Sequence, residues 1–183
     1  MTLDGFCDHT TSIADEEIHQ HYTELLRNAG VVLYGRITYE LMEYWPPLVK
    51  NPTGNKALDE FAVVMDNIQK IVFSNTLKKV KWETAKLATK NLSYTVAELK
   101  QQEGKDILVG SRSLIVELLN LDLIDEFQIC VHPIIAAKGL SLLDNIRDRI
   151  DLQLLKTKTF HCGAVIFYYK PKTKSINEDC KCI

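Results

Sequence analysis

Short apolar runs that alternate with helix-like segments constrain the fold of this chain more than any other feature of its sequence. Val31–Tyr34 is one such run, 70–74 is a second and 106–110 is a third. A run of four or five mostly apolar residues without polar alternation is typical of a strand buried on both faces. Such strands form parallel sheets covered by helices. The sequence therefore predicts an α/β fold with helices packed on the faces of a mostly parallel sheet.

Helical spacing of apolar residues predicts helices at 12–28, 38–44, 55–65, 96–102 and 113–121. Ser12 and Asp15 resemble a capping box for the first helix, and Gly30 is placed to end it. Pro46-Pro47 is placed to end the second helix, and Thr95 to cap the fourth. Further strands are predicted at 87–88, 126–131, 152–158 and 164–169. The last three follow one another without a strong helix between them, which indicates antiparallel pairing at one side of the sheet.

Length and composition exclude several classes of protein. The 183 residues fit one domain, which we place at 1–170, with a polar and disordered tail at 171–183. The net charge is -2 and no basic stripe is visible, which argues against a nucleic-acid partner. No apolar run approaches the roughly 18 to 20 residues that span a bilayer, so no membrane contact is expected. Five cysteines, three of them widely separated, indicate the reducing cytoplasm.

Two strand-to-helix junctions carry most of the functional signal. In the first, a strand ends at Gly35 and a helix begins within three residues; in the second, this happens at Gly110. Glycine lets a phosphate approach the backbone closely, and the N–H groups at the start of a helix attract anions. The neighbouring side chains add positive charge and hydroxyl donors: Arg36, Thr38, Ser111, Arg112 and Ser113.

The alternative is that Gly35 and Gly110 are ordinary turn glycines. Neither junction matches the dinucleotide fingerprint or the Walker pattern, which argues against a Rossmann or P-loop protein. Ser74 and Asn75 follow the strand that ends at Phe73, where they could contact a ribose or a 2′-phosphate or could simply form a turn. The pair of junctions favours anion binding over turn formation alone.

The order of these motifs resembles the dihydrofolate-reductase-like superfamily, and within it the RibD C-terminal domain family of riboflavin-biosynthesis reductases. The resemblance rests on five segments in order: Leu3-Asp4-Gly5-Phe6, 33–40, 71–74, 106–111 and 123–126. It implies a three-layer αβα arrangement with a mixed, mostly parallel central sheet, a homodimer, and NADPH as the hydride donor. It also places Gly35, Arg36 and Thr38 on the cofactor phosphates.

The same resemblance assigns the remaining site residues. Ser74 and Asn75 would lie near the adenosine end of the cofactor, and 110–113 would form the second phosphate turn. Leu3, Asp4, Gly5 and Phe6 would lie beside the nicotinamide and the substrate. The family usually has two glycines where this chain has Gly110-Ser111, and it has a full strand before the Leu-Asp-Gly motif. Only Met1 and Thr2 precede the motif here, so we expect that the numbering begins inside the natural domain.

The reaction that the resemblance favours is reduction of a phosphoribosylamino-pyrimidine, 5-amino-6-(5-phosphoribosylamino)uracil, or of another small substrate by a paralogue. A non-catalytic, homodimeric nucleotide-binding protein is the alternative. Dihydrofolate reductase is a second one, disfavoured because Ile68-Gln69 stands where those enzymes have an arginine. The catalytic proton donor stays open among Asp4, Glu17 and His19. His19 and His21 point to different faces of one helix and are expected at the surface, so no metal site is predicted.

Overall fold

The computed structural model describes residues 1–8 and 15–172. The predicted capping residue Ser12 and all but the first two residues of the predicted tail lie outside these ranges. The helices are α1 (Glu16–Asn28), α2 (Arg36–Met42), α3 (Pro46–Lys50), α4 (Lys56–Asn67), α5 (Leu92–Lys100) and α6 (Arg112–Asn120). The strands are β1 (Ala29–Gly35), β2 (Gln69–Phe73), β3 (Ala85–Leu87), β4 (Asp106–Val109), β5 (Phe127–Val131), β6 (Leu152–Thr159) and β7 (Val165–Pro171).

These strands form two sheets. One has four parallel strands in the order β3-β2-β1-β4, and the other has three antiparallel strands in the order β5-β7-β6. The predicted α/β class is confirmed, as are the mostly parallel sheet flanked by helices and the antiparallel C-terminal strands. The antiparallel strands form a sheet of their own, however, and do not extend one mixed central sheet as predicted. Thr2 forms an isolated parallel bridge with His132, just beyond β5, which places the start of the chain at the edge of the antiparallel sheet.

Three of the helices begin at a side-chain cap. Asp15 accepts a hydrogen bond from the N–H of Ile18 at α1, Asn55 caps α4 and Asn91 caps α5. The prediction of Thr95 as a cap was therefore wrong, and α5 begins before the predicted start. The reason is that Leu92 is buried, so the apolar face of the helix extends one turn further back than the spacing suggested.

Other predicted boundaries shift for similar physical reasons. Pro46 begins α3 rather than ending a helix, because the first position of a helix needs no backbone N–H. Gly30 lies inside β1 instead of after a helix, since α1 ends at Asn28 with Ala29 as its cap. The minor strand is Ala85–Leu87, paired in parallel with β2.

The parallel sheet is covered on both faces. One face packs against α1, α2 and α4 and contains Val32, Tyr34 and Val72; the other packs against α5 and α6 and contains Val31, Leu33 and Ile71. A third cluster joins Ile18 of α1 to one face of the antiparallel sheet through Ile166 and Tyr168. Burial on both faces explains why the strand sequences are continuously apolar.

Lys70 is a charged residue inside this core. Its side chain is fully buried, and its ammonium donates hydrogen bonds to the carbonyl oxygen of Ile68 at 2.7 Å and to Oγ1 of Thr84 at 2.8 Å. The ammonium also lies 3.9 Å from the centre of the Trp82 ring. Burial nevertheless lowers the pKa of Lys70 to about 8, because the charged form has lost its water.

Candidate functional site

The two glycine junctions meet at the carboxyl edge of the parallel sheet. Gly35 ends β1 and pairs with Phe73 at the end of β2, and the N–H of Gly110 donates a 3.2 Å hydrogen bond to the carbonyl oxygen of Leu33. Because β2, β1 and β4 are neighbours, the turns that follow them also lie side by side. This edge is where parallel α/β sheets commonly bind their ligands.

A buried hydrogen bond joins the first two turns. The N–H of Gly35 donates to Oγ of Ser111 at 2.8 Å, and Ser111 is only 2 % exposed. A Cβ added to Gly35 would lie 3.6 Å from Oγ of Ser113 and 3.7 Å from Oγ of Ser111, which is ordinary contact. The sequence predicted the two turns separately, and in the structure this hydrogen bond joins them.

The helices that start at these turns have no side-chain cap. Gly35 precedes α2 and cannot supply one, and the Ser111 hydroxyl before α6 is occupied by the Gly35 N–H. The first N–H groups of a helix have no partner within that helix, and α1, α4 and α5 satisfy one of theirs with an Asp or Asn cap. Two neighbouring helix starts with uncapped N–H groups form an anion-attracting edge.

Gly110 is explained by packing. A Cβ at this position would lie 2.7 Å from Cε1 of Tyr34, closer than real side chains approach one another. Tyr34 is itself buried, and its hydroxyl donates to Sδ of Met65 at 3.4 Å. Glycine is therefore required at 110 by the core, whereas at 35 the protein leaves room for a methyl group.

The two arginines of the junctions differ in their surroundings. Arg36 is exposed at the first turn of α2 and forms a 2.8 Å ion pair with Glu40, one helical turn further on. Arg112 is bonded to a later segment: its Nη1 donates to the carbonyl oxygen of Ser141 at 2.9 Å and lies 3.8 Å from Asp144. Thr38 is half-buried in the first turn of α2, and Ser113 is exposed in that of α6.

The segment after β2 is held in place by hydrogen bonds. Oγ of Ser74 accepts from the N–H groups of Thr76 at 3.1 Å and Leu77 at 2.9 Å, and Asn75 beside it is exposed. Further along, the hydroxyl of Tyr39 in α2 accepts from the N–H groups of Lys81 and Trp82. The segment that includes Ser74 and Asn75 is thus tied to the helix that follows Gly35.

Sequence reasoning missed two lysines in this segment. Lys78 and Lys79 are exposed, and neither forms an ion pair with the described residues. They lie within five residues of Ser74, in the segment anchored by Tyr39. Two adjacent lysines are usually solvated charges, so the sequence alone gave no reason to choose them. In the structure they precede Lys81 and Trp82, whose N–H groups are bonded to Tyr39 of α2.

The loop at 3–6 is held by hydrogen bonds to the segment at 136–137. The carboxylate of Asp4 accepts from the Thr2 hydroxyl at 2.7 Å and from the N–H groups of Ala136 and Ala137 at 3.1 and 2.8 Å. These hydrogen bonds, the Thr2 bond above all, lower the pKa of Asp4. Gly5 has a φ of +94°, which suits a residue without a Cβ, and Leu3 is highly exposed. Phe6 bridges to Ser141.

The other two candidates for the proton donor have partners elsewhere. Glu17 accepts from both the backbone N–H and the Nδ1 of His161 at 2.9 Å, and these bonds lower the pKa of Glu17. His19 donates from Nδ1 to the carbonyl oxygen of Asp15 at 2.8 Å, and its ring packs edge-on against Phe61. The described contacts therefore do not bring Asp4, Glu17 and His19 together.

The histidines of α1 were expected at the surface, and this was wrong. His19 and His21 are both half-buried, because α1 lies between α4 and the antiparallel sheet. They point to different faces as predicted: His19 contacts Phe61 of α4, and His21 contacts Phe160 beside β7. Among the described residues, no group of three or more His, Cys, Asp or Glu side chains is placed to hold a metal ion.

A surface depression of about 430 Å³ lies at the opposite edge of the sheet. Its lining includes Ala29 and Gln69, the first residues of β1 and β2, and Lys105 just before β4. The amino ends of parallel strands lack the helix starts that attract anions, so we place the site at the carboxyl edge instead. No helix within the described ranges has the length and apolar character that crossing a membrane requires.

Comparison with known proteins agrees with this fold. The model of the RibD C-terminal domain matches residues 1–166. The chain belongs to the RibD C-terminal domain family. Its relative YyaP of Bacillus subtilis, strain 168, is 32 % identical over 173 residues, which covers 92 % of this chain and 90 % of YyaP.

Solved structures of similar fold come from other bacteria. A putative riboflavin biosynthesis protein of Shewanella sp. PV-4 superimposes with a TM-score of 0.68 at 18 % identity, covering 94 % of this chain and 95 % of that one. A deaminase/5-amino-6-(5-phosphoribosylamino)uracil reductase of Thermotoga maritima gives a TM-score of 0.64 at 19 % identity. The match covers 93 % of this chain and 54 % of the Thermotoga protein. At these identities the likeness shows the RibD C-terminal fold.

Proposed function

We propose that this member of the RibD C-terminal domain family is an NADPH-dependent reductase of a small molecule. The observation that carries the proposal is the pair of uncapped helix starts joined by the Gly35–Ser111 hydrogen bond at the carboxyl edge of the sheet. A dinucleotide has two linked phosphates, and two adjacent sets of N–H groups suit them. The Thermotoga maritima protein of similar fold is a deaminase and 5-amino-6-(5-phosphoribosylamino)uracil reductase, which supports the same class of reaction.

Different site residues would contact different parts of the cofactor. Gly35, Arg36 and Thr38 would contact one phosphate of the pyrophosphate, and Gly110, Ser111 and Ser113 would border the other. Arg112 would act by tethering 141–144, since its guanidinium already donates to Ser141. Room for a methyl group at Gly35 within the protein fits a position kept open for a ligand.

Preference for NADPH over NADH would come from the segment after β2. A 2′-phosphate carries close to two negative charges, and Lys78 and Lys79 are exposed cations without an ion-pair partner in the described chain. Ser74 and Asn75 would contact the ribose that carries this phosphate. The hydrogen bonds that the Tyr39 hydroxyl accepts from Lys81 and Trp82 hold the segment beside α2, so these contacts require little reordering on binding.

NADPH supplies a hydride when it is bound, and the chain has to orient the carbon that receives it. The loop of Leu3, Asp4, Gly5 and Phe6 would form the wall beside the nicotinamide. Asp4 is suited to holding this loop rather than to giving a proton, because its lowered pKa keeps it ionised near neutral pH. We place the substrate among phosphoribosylamino-pyrimidines such as 5-amino-6-(5-phosphoribosylamino)uracil, or a related small molecule that a paralogue would reduce.

A non-catalytic nucleotide-binding protein is the second candidate. It is favoured by the separate partners of Asp4, Glu17 and His19, which leave no assembled proton donor among the three. Dihydrofolate reductase is disfavoured by Lys70, the cation nearest the position where a folate tail would need one. Lys70 is fully buried and bonded within the core, so it is unable to reach a ligand.

We also propose that the protein works in the cytoplasm. Cys7, Cys130 and Cys162 are free thiols, as suits a reducing compartment.

The first experiment is a fluorescence titration with NADPH and NADH on wild type, Arg36→Ala and Arg27→Ala. The two arginines are matched, since both are exposed and both pair with a glutamate, Glu40 and Glu60. Arg27 lines the depression at the opposite edge. We expect micromolar binding that prefers NADPH, weakens at least tenfold in Arg36→Ala and stays unchanged in Arg27→Ala. Equal losses in both variants, or no binding by wild type, would overturn the cofactor assignment.

Hydride transfer then separates the reductase from the binding protein. The phosphoribosylamino-pyrimidine is added to protein and NADPH, and loss of the NADPH absorbance is followed beside formation of the ribityl product. Loss of NADPH and formation of the ribityl product in equal amounts would support reduction. Binding of NADPH without consumption, for this substrate and for a panel of related carbonyl and imine compounds, would favour the binding protein.

A further inference from the structure

Two lysines and a histidine converge where α1 packs on the antiparallel sheet. Lys156 and Lys158 lie on β6, and their partners on β7 belong to the buried cluster that contains Ile18 of α1. Residues two apart on a strand point to the same side, so both lysines face α1. His21 of α1 contacts Phe160, just beyond β6, with ring centres 5.6 Å apart. We refer to Lys156, Lys158 and His21 as the basic cluster.

Aromatic rings hold both ammonium groups of the basic cluster. Nζ of Lys156 lies 4.4 Å from the centre of the Tyr168 ring, and Nζ of Lys158 lies 4.9 Å from the centre of the Phe160 ring. A ring face attracts a cation but leaves its full charge in place. Within the described ranges, no ion pair includes a residue of the basic cluster. Two positive charges are therefore held in position without a carboxylate bonded to either.

The ammonium of Lys158 determines the hydrogen-bonding state of His21. Nζ of Lys158 lies 3.4 Å from Nδ1 of His21. An ammonium only donates hydrogen bonds, so Nδ1 is the acceptor and the ring proton is on Nε2. That Nε2 is buried and has no hydrogen-bond partner in the part of the chain that the structure describes. The imidazole is thus held neutral beside two cations, with one polar atom unsatisfied.

The surroundings of His21 oppose its protonation. Burial lowers the pKa of His21 most, and the charges of Lys158 and Lys156 lower it further. On α1, the exposed carboxylate of Glu24 raises it. The other titratable neighbours on α1 and after β6 are Tyr22, and Glu17 with its partner His161. A negative charge placed between the two ammonium groups would remove this opposition.

We propose that the basic cluster binds the phosphate group of a small phosphate monoester. A monoester carries close to two negative charges near neutral pH, which the two ammonium groups match. Lysine binds phosphate as a point charge, so no fixed fork geometry is required. The phosphate would draw Lys158 away from His21, and Nδ1 would then take up a proton and donate to the phosphate. The chain's net charge of -2 disfavours a polyanion such as a nucleic acid.

The inference does not rest on the proposed reductase activity, because no residue of the basic cluster belongs to the carboxyl edge of the parallel sheet. It requires that anion binding and protonation of His21 favour each other. By this reciprocity the anion raises the pKa of His21, and affinity for the anion increases as pH falls. Sulfate is the probe for this linkage, because it stays doubly charged throughout the range in which histidine titrates.

The experiment is a histidine titration by NMR in sodium sulfate and in sodium chloride of equal ionic strength. The signal of His21 is assigned by its loss in His21→Gln. Wild type is compared with Lys156→Met and with Lys86→Met, an exposed lysine of β3 that also has no ion pair in the described chain. Thermal unfolding verifies that each variant folds.

Sulfate should raise the pKa of His21 by at least about 0.5 in wild type and in Lys86→Met. The rise in Lys156→Met should be less than half as large. At pH 7.5, phenyl phosphate should shift the same His21 signal with half-saturation near about 1 mM, and sulfate should compete with it.

Three outcomes would overturn the proposal. The first is a His21 titration that is the same in sulfate and chloride. The second is an equal rise in wild type and Lys156→Met, since this would place the anion away from the basic cluster. The third is a response to sulfate without any response to phenyl phosphate, which would exclude a phosphate monoester as the ligand.

Discussion

The N–H of Gly35 and the hydroxyl of Ser111 form the 2.8 Å hydrogen bond that joins the turn after β1 to the turn after β4. The two residues are 76 positions apart and both are buried. The bond aligns the starts of α2 and α6, and it occupies the hydroxyl that would otherwise cap α6. Loss of this one contact should therefore affect both the stability of the fold and its affinity for a dinucleotide.

Replacement of Ser111 by alanine should destabilise the protein and weaken NADPH binding. The buried N–H of Gly35 would lose its acceptor, and an unsatisfied buried donor costs about 1–3 kcal/mol. Urea unfolding at neutral pH measures the loss of stability, and the fluorescence titration measures affinity. Ser113→Ala is the control, since Ser113 is exposed and its unfolding free energy should change by less than about 0.5 kcal/mol. Equal stability of Ser111→Ala and wild type would contradict the role of this bond.

The glycines at 35 and 110 should respond oppositely to alanine. Gly35 has extended backbone and room for a methyl group, so Gly35→Ala should fold with nearly unchanged stability but lose NADPH affinity. Gly110→Ala would press a Cβ against the Tyr34 ring, and overpacking of a core costs about 1–3 kcal/mol.

Thermal unfolding with and without NADPH distinguishes the two effects. We expect a normal melting temperature and a reduced NADPH-induced rise for Gly35→Ala, and a lowered melting temperature for Gly110→Ala. A Gly35→Ala variant that binds NADPH as tightly as wild type would remove Gly35 from the phosphate site.

Lys70 should make the unfolding free energy depend on alkaline pH. Its pKa is lowered by burial to about 8 in the native state, and unfolding returns it toward 10.5. Between these two values the unfolded state binds the extra proton, so this residue raises stability as pH increases, by up to about 1.4 kcal/mol per unit. Below about pH 8 both states are protonated, and the contribution becomes constant.

Lys70→Met isolates this contribution, because methionine fills a similar volume and does not titrate. Burial raises the pKa of the Cys7 and Cys130 thiols, which lowers stability with rising pH in both proteins and cancels in the comparison. The measurement is urea unfolding of both proteins from pH 7 to 10. If the unfolding free energies of wild type and Lys70→Met depend on pH in the same way, the desolvation of Lys70 that the structure indicates would be contradicted.

Asp4→Asn should loosen the segment around 136–137. The carboxylate accepts two backbone N–H groups there, and an amide oxygen is a weaker, uncharged acceptor. Lys138 is exposed just beyond these bonds, so trypsin should cleave after Lys138 several times faster in the variant. Glu103→Gln, an exposed substitution outside this loop, is the control. Unchanged cleavage in Asp4→Asn would mean that other contacts hold the segment.

Local sequence patterns determined the elements of this protein. Continuous apolar runs predicted β1, β2 and β4, because strands buried on both faces leave no place for polar alternation. The Gly-Arg and Gly-Ser steps after β1 and β4 marked both turns, since a glycine at the end of an apolar run is a local signal of a turn. Boundaries such as the start of α5 shifted because burial of Leu92 depends on what packs against it.

Tertiary structure alone decided how these pieces act together. It paired Gly35 with Ser111, Asp4 with Ala136 and Ala137, and Arg112 with Ser141, at separations of 29 to 133 residues. It also showed that Gly110 is required by Tyr34 and that Lys70 is buried, neither of which has a signature in neighbouring residues. The physical reason is that hydrogen bonding and burial depend on distance in space, whereas a local pattern reports only the few residues on either side.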